Sequence, residues 1–184
     1  MLQPTEQLMI KRVLYMGLVC IVALSVCSQL GCTKVYDDED DEEEIDDQNS
    51  PTGYVDLGLP SGLRWNANDE SGFYTFLQAY QNFSSSLPTN DQFYELLNNC
   101  RWEWQSDKKR YKVIGPNNNY IYMPTSGYTT CSGTLYNVGY GGYYWSSTEN
   151  EEGTGAMGLD FDALNKGLHP DAKCSGRSVR LVKN

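Results

Sequence analysis

The sequence predicts an α+β domain in which one or two helices are followed by a series of short antiparallel strands. Between residues 76 and 100 the apolar residues recur with a helical period. From residue 101 onward, short segments rich in aromatic and β-branched residues alternate with turns of Gly, Asn and Ser. Helices grouped early and strands grouped late are typical of α+β domains.

The clearer of the two helices is predicted to begin after Thr89. Thr89 can cap a helix, and Gln92 stands three residues later, as in a capping box. One helical face then carries Phe93, Leu96, Leu97 and Cys100. The preceding segment FLQAYQNF, residues 76–83, is a second and weaker candidate helix.

Strands are predicted on both sides of these helices. Before them, residues 53–66 (GYVDLGLPSGLRWN) form two short extended pieces around a turn at Pro60-Ser61-Gly62. After them, the predicted strands are residues 101–105, 111–115, 120–124, 142–148, 155–162 and 177–183.

The first 31 residues predict a lipoprotein signal peptide. Lys11 and Arg12 precede an apolar run at residues 13–26, which is shorter than the roughly 20 residues of a membrane span. Met9 is the expected start, because MIKR is the more usual opening. Leu30-Gly31-Cys32 resembles a bacterial lipobox, so Cys32 is the predicted lipid-attachment (palmitate) site. An ordinary cleaved signal with an incidental cysteine is the alternative.

Residues 32–52 are predicted to be a lipidated, acidic and disordered linker. Ten carboxylates stand between Asp37 and Asp47, and such a block of like charge repels itself and remains extended. The net charge of −10 therefore belongs mainly to this linker. The rest of the chain has no basic stripe, so nucleic acid is not an expected partner. The acidic run also resembles the tag that directs Bacteroidetes lipoproteins to the outer membrane surface.

The cysteines indicate at most one disulfide in the folded domain. Beyond Cys32 the chain contains Cys100, Cys131 and Cys174. An exported domain is oxidised, and three thiols leave one free. Cys131 and Cys174 both lie in Gly/Ser-rich segments and are the better pair, whereas Cys100 is expected to be buried on its helix face.

The motifs YVDLGLPSGLRW, LPTNDQFYELLNNCRWEW, YKVIGPNNNYIYMPTSGY, GYYWSST and GRSVRLVK resemble the FISUMP domain (Fibrobacter succinogenes major paralogous domain) of Bacteroidetes lipoproteins. The resemblance covers residues 53–184. It implies a C-type-lectin-like fold, shared with formylglycine-generating enzymes and with retroelement-diversified binding proteins.

Catalysis has little support in the sequence, and the protein is expected not to be an enzyme. The folded domain has one histidine, His169, in an expected loop, and it has no HExxH or CxxC metal spacing. No cofactor is expected. Acidic loops could supply oxygen ligands for Ca²⁺, but the EPN and QPD signatures of sugar-binding calcium sites are absent.

Binding has more support, because the domain is rich in Tyr and Trp, which give large contact areas at low entropic cost. The candidate ligand contacts lie in the Tyr/Gly-rich segment 127–145 and in two expected loops, residues 148–155 and 163–176. These candidates are Tyr136, Tyr140, Glu149, Glu151, Glu152, Asn165, Lys166, His169 and Asp171.

The sequence therefore predicts a lipid-anchored outer-membrane protein, exposed at the cell surface, with one lectin-like domain. Its expected partners are the membrane, through the lipid anchor, and a glycan or protein ligand. The alternative is a structural or fimbria-associated cell-surface subunit. An enzyme related to formylglycine-generating enzymes is a remote third possibility.

Overall fold

Residues 50–184, the part of the chain that the computed structural model describes, contain two α-helices and eleven β-strands in four antiparallel sheets. The mixed α+β class is therefore confirmed for this part of the chain. The predicted signal peptide, the lipidated residue Cys32 and the linker up to residue 49 lie outside the described residues. Neither of the two helices is long and apolar enough to cross a membrane.

The elements follow each other largely as the sequence predicts. Strands β1 (Tyr54–Asp56) and β2 (Arg64–Asn66) come first and pair with each other. Helices α1 (Phe76–Phe83) and α2 (Asn90–Asn99) follow, separated by a 3₁₀ turn. The remaining strands are β3 (Arg101–Gln105), β4 (Arg110–Ile114), β5 (Tyr120–Pro124), β6 (Tyr128–Thr129), β7 (Leu135–Tyr136), β8 (Gly141–Glu149), β9 (Gly155–Asp162), β10 (Lys166–Ala172) and β11 (Val182–Lys183).

Both helices begin with a complete capping box. In α2 the Thr89 hydroxyl accepts a hydrogen bond from the Gln92 N–H at 3.2 Å, and the Gln92 side chain accepts one from the Thr89 N–H at 2.8 Å. Thr75 and Gln78 make the same reciprocal pair at the start of α1. Each box satisfies backbone donors that the first helical turn would otherwise leave unpaired. Both predicted helices are therefore confirmed.

The central sheet has the strand order β10-β9-β8, and its two faces differ in chemistry. Because side chains alternate along a strand, Leu159 and Phe161 of β9 lie on one face and Asp160 lies on the other. The apolar face packs, together with Tyr144, against Phe93 and Leu96 of α2 in the main hydrophobic core.

The opposite face of the central sheet is only partly covered. At one end, Trp145 and Ala156 pack against Phe76 and Ala79 of α1 in a second buried cluster. Farther along the same face, Asp160 retains partial exposure and the adjoining part of β10 is largely exposed. An uncovered area of sheet therefore remains beside the second cluster.

The segment 163–176, expected to be a loop, instead contains strand β10. It pairs with β9 from Lys166 opposite Phe161 to Ala172 opposite Gly155. Gly167 and Pro170 weaken the strand pattern in the sequence. Proline is nevertheless tolerated on an edge strand, where its missing N–H removes no ladder bond, and among the described strands β10 pairs only with β9.

The closing segment 177–183 was predicted to be one strand, but only β11 at its end is regular. Its backbone is bonded to a different neighbour every few residues. The N–H of Arg177 bonds to the Tyr74 carbonyl, and the carbonyls of Val179 and Leu181 accept from Glu70 and Asn66. The pattern of apolar residues was interpreted correctly as extended backbone, but it does not reveal the change of partner.

Arg180 lies within this closing segment, and its side chain is almost fully buried. Its Nε donates to Asp69 Oδ1 at 2.6 Å, Nη2 donates to the Tyr122 carbonyl at 2.7 Å, and Nη1 donates to the carbonyls of Asn66 and Ala67. Asp69 Oδ2 also accepts from the Tyr144 hydroxyl at 2.9 Å. Burial raises the pKa of Asp69, and the Arg180 charge opposes that rise.

Arg180→Met should lower the free energy of unfolding by about 3–5 kcal/mol, because it leaves the Asp69 carboxylate buried without its counter-charge. Chemical denaturation measures this loss. The matched control is Arg64→Met at an exposed position, which should change stability little.

The loss should also depend on pH. Without the guanidinium the folded-state pKa of Asp69 rises further, so the folded state binds this proton more tightly than the unfolded state does. The deficit should therefore be smallest near the ordinary aspartate pKa of 3.8 and should grow as the pH rises to 7. A deficit that is equal at both ends of this range would show that Asp69 is not the group left unpaired.

Candidate ligand-binding surface

The uncovered half of the central sheet brings polar and aromatic side chains together. Tyr143 of β8 pairs with Asp160 of β9, and Asp160 pairs with Gly167 of β10. Since residues two apart on a strand share a face, Asp162 and His169 join them. The strand register therefore places one tyrosine, two aspartates and the histidine on the same side of a rigid sheet.

Glycines keep this face open. A Cβ atom added to Gly167 would lie 3.0 Å from His169 Nε2, and one added to Gly158 would lie 2.6 Å from a terminal nitrogen of Arg177. Any side chain at position 158 would displace that arginine. The surface is therefore concave where these glycines lie between larger side chains.

Two adjoining depressions result, and they share Tyr143 and Asp160. The first has a volume of about 370 Å³, and its lining includes Asp162, Asn165, Lys166 and His169. The second has a volume of about 270 Å³, and its lining includes Tyr128, Asn137, Pro170 and Asp171. We call the two depressions together the trough.

Arg177 lies beneath the trough and fixes two of its carboxylates. Its side chain is 4% exposed. One terminal nitrogen lies 2.6 Å from Asp160 Oδ1, and the other lies 3.0 Å from Asp171 Oδ2. The guanidinium also lies 4.8 Å from the ring centroid of Trp145. Burial raises the pKa of Asp160, and the Arg177 charge counteracts part of that rise.

Tyrosine rings form one wall of the trough. The Tyr128 ring lies 4.8 Å from the Tyr143 ring and stacks on the Tyr136 ring at 6.1 Å, measured between centroids. The Asn137 amide donates to the Tyr143 hydroxyl at 2.7 Å. These contacts hold the rings in place before any ligand arrives, which reduces the entropy lost on binding.

A disulfide and a pair of backbone bonds hold the hairpin that carries this wall. Cys131 and Cys174, the predicted pair, form a disulfide with a Cα–Cα distance of 4.8 Å. Beside it, Thr129 and Gly176 exchange two backbone hydrogen bonds, both 2.8 Å long. The β6–β7 hairpin is therefore tied to the segment that contains Arg177.

Cys100 is the cysteine left free among residues 50–184. It is half-buried at the end of α2 and packs against the main core. Burial, reinforced by the nearby Glu95 charge, raises the pKa of its thiol to about 12. The thiol is therefore protonated at neutral pH and is a poor nucleophile.

The structure brings four of the nine predicted contact residues to the lining of the trough and leaves the other five outside it. Asn165, Lys166, His169 and Asp171 line the trough, and Tyr136 stacks behind Tyr128. Tyr140 is 78% exposed and is not among the residues lining either depression. Three of the predicted residues lie at the other end of the β8–β9 hairpin: Glu149, Glu151 and Glu152.

The glutamates are not among the residues that line either depression. Glu149 pairs with Ala156, which pairs in turn with Asp171, so Glu149 lies two strand spacings, about 10 Å, from the Asp171 end of the trough. Glu149 forms an ion pair with Lys173 at 2.8 Å. Among residues 50–184, no three His, Cys, Asp or Glu residues are grouped so that they could hold a metal ion.

The residues that line the trough but were not among the predicted contacts include Tyr128, Asn137, Tyr143, Asp160, Asp162 and Arg177. For Asp160 a signal was present, since GLDFD alternates apolar and acidic residues and so predicts one polar face. For Arg177 the signal was weaker: a charged residue at the start of the apolar pattern RSVRLVK can be a functional residue. The two tyrosines lie in the Tyr/Gly-rich segment 127–145, but its composition does not say which of its tyrosines face a ligand, because tyrosine is common in both cores and binding surfaces.

A larger cavity, of about 440 Å³, lies beside the buried Asp69 and Arg180 and is also lined by Tyr122 and Pro124. Its two buried charged groups are bonded to each other. They are also bonded to the surrounding backbone and to Tyr144, which leaves them little capacity to bind a ligand. The trough has polar groups with fewer hydrogen bonds inside the protein, so it is the better candidate site.

Residues 98–182 match a family described as a domain of unknown function, DUF8237. The matched part is a little less than half of the chain, and it includes every residue that lines the trough. No curated protein and no solved structure matches the chain. The family description assigns no activity.

Replacing both disulfide cysteines, as Cys131→Ser with Cys174→Ser, should lower the free energy of unfolding by about 2–4 kcal/mol. The crosslink closes a loop between residues 43 apart and so restricts the unfolded chain. Thermal and urea denaturation without reductant measure the loss. The control is Cys100→Ser, in which the disulfide remains. Equal stability of the double variant and the parent would contradict the prediction.

Proposed function

We propose that this protein is a surface-anchored lipoprotein whose domain at residues 53–184 is a non-catalytic binding module. In this proposal the domain has the C-type-lectin-like fold of the FISUMP resemblance, and the trough receives a glycan or protein ligand. The observation that carries the proposal is the trough itself, a concave surface in which aromatic rings and hydrogen-bonding groups converge on a rigid sheet.

The trough combines features that ligand binding requires. Tyr128 and Tyr143 offer apolar ring surface, while Asp160, Asp171 and Asn165 offer hydrogen-bonding groups that can fix the orientation of a ligand. Most of these side chains project from strands rather than from mobile loops. A site built on rigid elements loses little conformational entropy when it is filled.

The electrostatics of the trough favour binding over catalysis. Asp160 and Asp171 share one guanidinium, which occupies oxygens that an acid–base pair would need. His169 stands exposed on β10, and no residue among 50–184 forms a described hydrogen bond with its ring. A general base is normally oriented by a hydrogen bond to a third group. Asp160 interacts with His169 electrostatically, but its described hydrogen bond is to Arg177.

The anchor follows from the sequence. Cys32 would hold the chain in the outer membrane through its acyl chains, and residues 33–52 would act as a charged spacer. This arrangement would present the trough at the cell surface.

The test uses the full chain on a glycan array, in buffers containing calcium or EDTA. We expect binding that survives EDTA and falls at least ten-fold in Tyr143→Ala, with the fold verified by thermal denaturation. The matched control is Tyr94→Ala, which removes an exposed tyrosine of α2 outside the trough. Protein ligands are sought in parallel by photo-crosslinking from position 169 on intact cells. If Tyr143→Ala changes neither result, the binding function is wrong.

A structural role is the second candidate, and one surface favours it. Within residues 135–140, four large apolar side chains are at least half exposed: Leu135, Tyr136, Val138 and Tyr140. Exposed apolar groups clustered in this way often mark protein contacts. If this segment joins subunits, Val138→Asp should reduce the assembled fraction seen by light scattering after size-exclusion chromatography. A parent chain that is monomeric at every concentration tested would exclude self-assembly through this segment.

A further inference from the structure

We infer that the trough binds a neutral oligosaccharide of at least two pyranose units, with one sugar ring in each depression and Tyr143 and Asp160 at their junction. This inference rests on the proposed binding function and names the ligand class of that site. It is argued from the shape of the trough, from the distribution of its polar groups and from its charge.

Each depression offers the two kinds of surface that a pyranose ring presents. A pyranose has apolar C–H faces and carries hydroxyl groups around its edge. The first depression combines the ring of Tyr143 with polar groups on Asn165, Lys166 and His169. Donors and acceptors are mixed there, as a row of hydroxyls requires, because each hydroxyl both donates and accepts.

The second depression repeats this combination with different residues. Tyr128 and Pro170 supply apolar surface, and Asn137 and Asp171 supply polar groups. Because Tyr143 and Asp160 line both depressions, a ligand can pass from one to the other without leaving the surface. Two similar compartments in contact indicate a ligand built from repeated units.

Asp160 at the junction retains hydrogen-bonding capacity. Its Oδ1 accepts from Arg177 at 2.6 Å, while the hydrogen bonds described for residues 50–184 give Oδ2 no partner. The side chain is 22% exposed, so Oδ2 is only partly hydrated. Burial also raises the pKa of this carboxyl. A ligand hydroxyl that donates to Oδ2 would replace the missing hydration with a charge-assisted hydrogen bond.

The charge of the trough selects among sugars. Three carboxylates line it, on Asp160, Asp162 and Asp171, and two of them are already paired with Arg177. Lys166 is the other cationic residue that lines it. The three carboxylates and these two cationic groups sum to one negative charge. Uronic and sialic acids would bring further negative charge into a partly desolvated site, so neutral sugars are favoured.

The experiment is isothermal titration calorimetry on the full chain. The neutral probes are cello-, manno- and chito-oligosaccharides of one to four units, and the acidic probes are oligogalacturonates of the same lengths. In at least one neutral series we expect affinity to rise ten-fold or more from one unit to two. We expect oligogalacturonates to bind at least ten-fold more weakly.

Two variants test the compartments separately. His169→Ala alters the first depression and Tyr128→Ala alters the second, and each should reduce the affinity for a disaccharide toward that for the monosaccharide. The matched control is again Tyr94→Ala. The dependence on length in the unaltered chain tests the inference even if a variant proves unstable.

The inference is overturned if affinity does not depend on length, if the acidic series binds equally or better, or if no neutral oligosaccharide binds. The fate of the proposed function is decided separately. Persisting Tyr143-dependent binding of an acidic glycan or a protein would leave the binding module intact and discard only the neutral oligosaccharide. If the unaltered chain shows no interaction that depends on Tyr143, both the inference and the proposed function are discarded.

Discussion

The buried guanidinium of Arg180 is the contact on which the mutual arrangement of three sheets depends. It bonds to backbone carbonyls just after β2 and in β5, and through Asp69 it reaches the Tyr144 hydroxyl in β8. Hydrophobic contacts are non-directional and would tolerate many relative positions of these sheets. A planar guanidinium with fixed donor directions tolerates few. Specific geometry thus comes from a costly buried charge, and apolar burial supplies most of the driving force.

Arg177 performs a related task three residues earlier in the chain, at the surface instead of the core. It fixes Asp160 and Asp171 from below, and the Trp145 ring supports it. The closing segment can deliver both arginines because it does not belong to a regular ladder along its whole length. Its changing backbone partners turn one side chain toward the trough and the other toward the junction of the sheets. The trough and the core are therefore positioned by the same short stretch of chain.

Local signals in the sequence were sufficient for the helices and for most strands. Thr89 and Gln92 mark the start of α2, and the alternation in β9 separates its core residues from its acidic ones. Strand β10 was missed because Gly167 and Pro170 resemble loop residues unless the edge position of the strand is known. Part of the trough was missed for a different reason: Tyr143, Asp160 and Arg177 meet only through pairing between segments distant in sequence. Of the predicted contacts, those on or beside β10 line the trough, whereas Glu149 at the end of β8 is paired with Lys173 and does not line it.

The edge position of β10 has a consequence for how the molecule behaves among its neighbours. A strand that lines a binding surface must remain accessible, yet an accessible edge invites pairing with the edge of another copy. Pro170 lacks the N–H that such a partner strand would need, and Lys166 places a charge at the start of the same strand. These two residues would therefore oppose edge-to-edge aggregation. Pro170, which made β10 look like a loop in the sequence, would thus keep the exposed surface of this strand available.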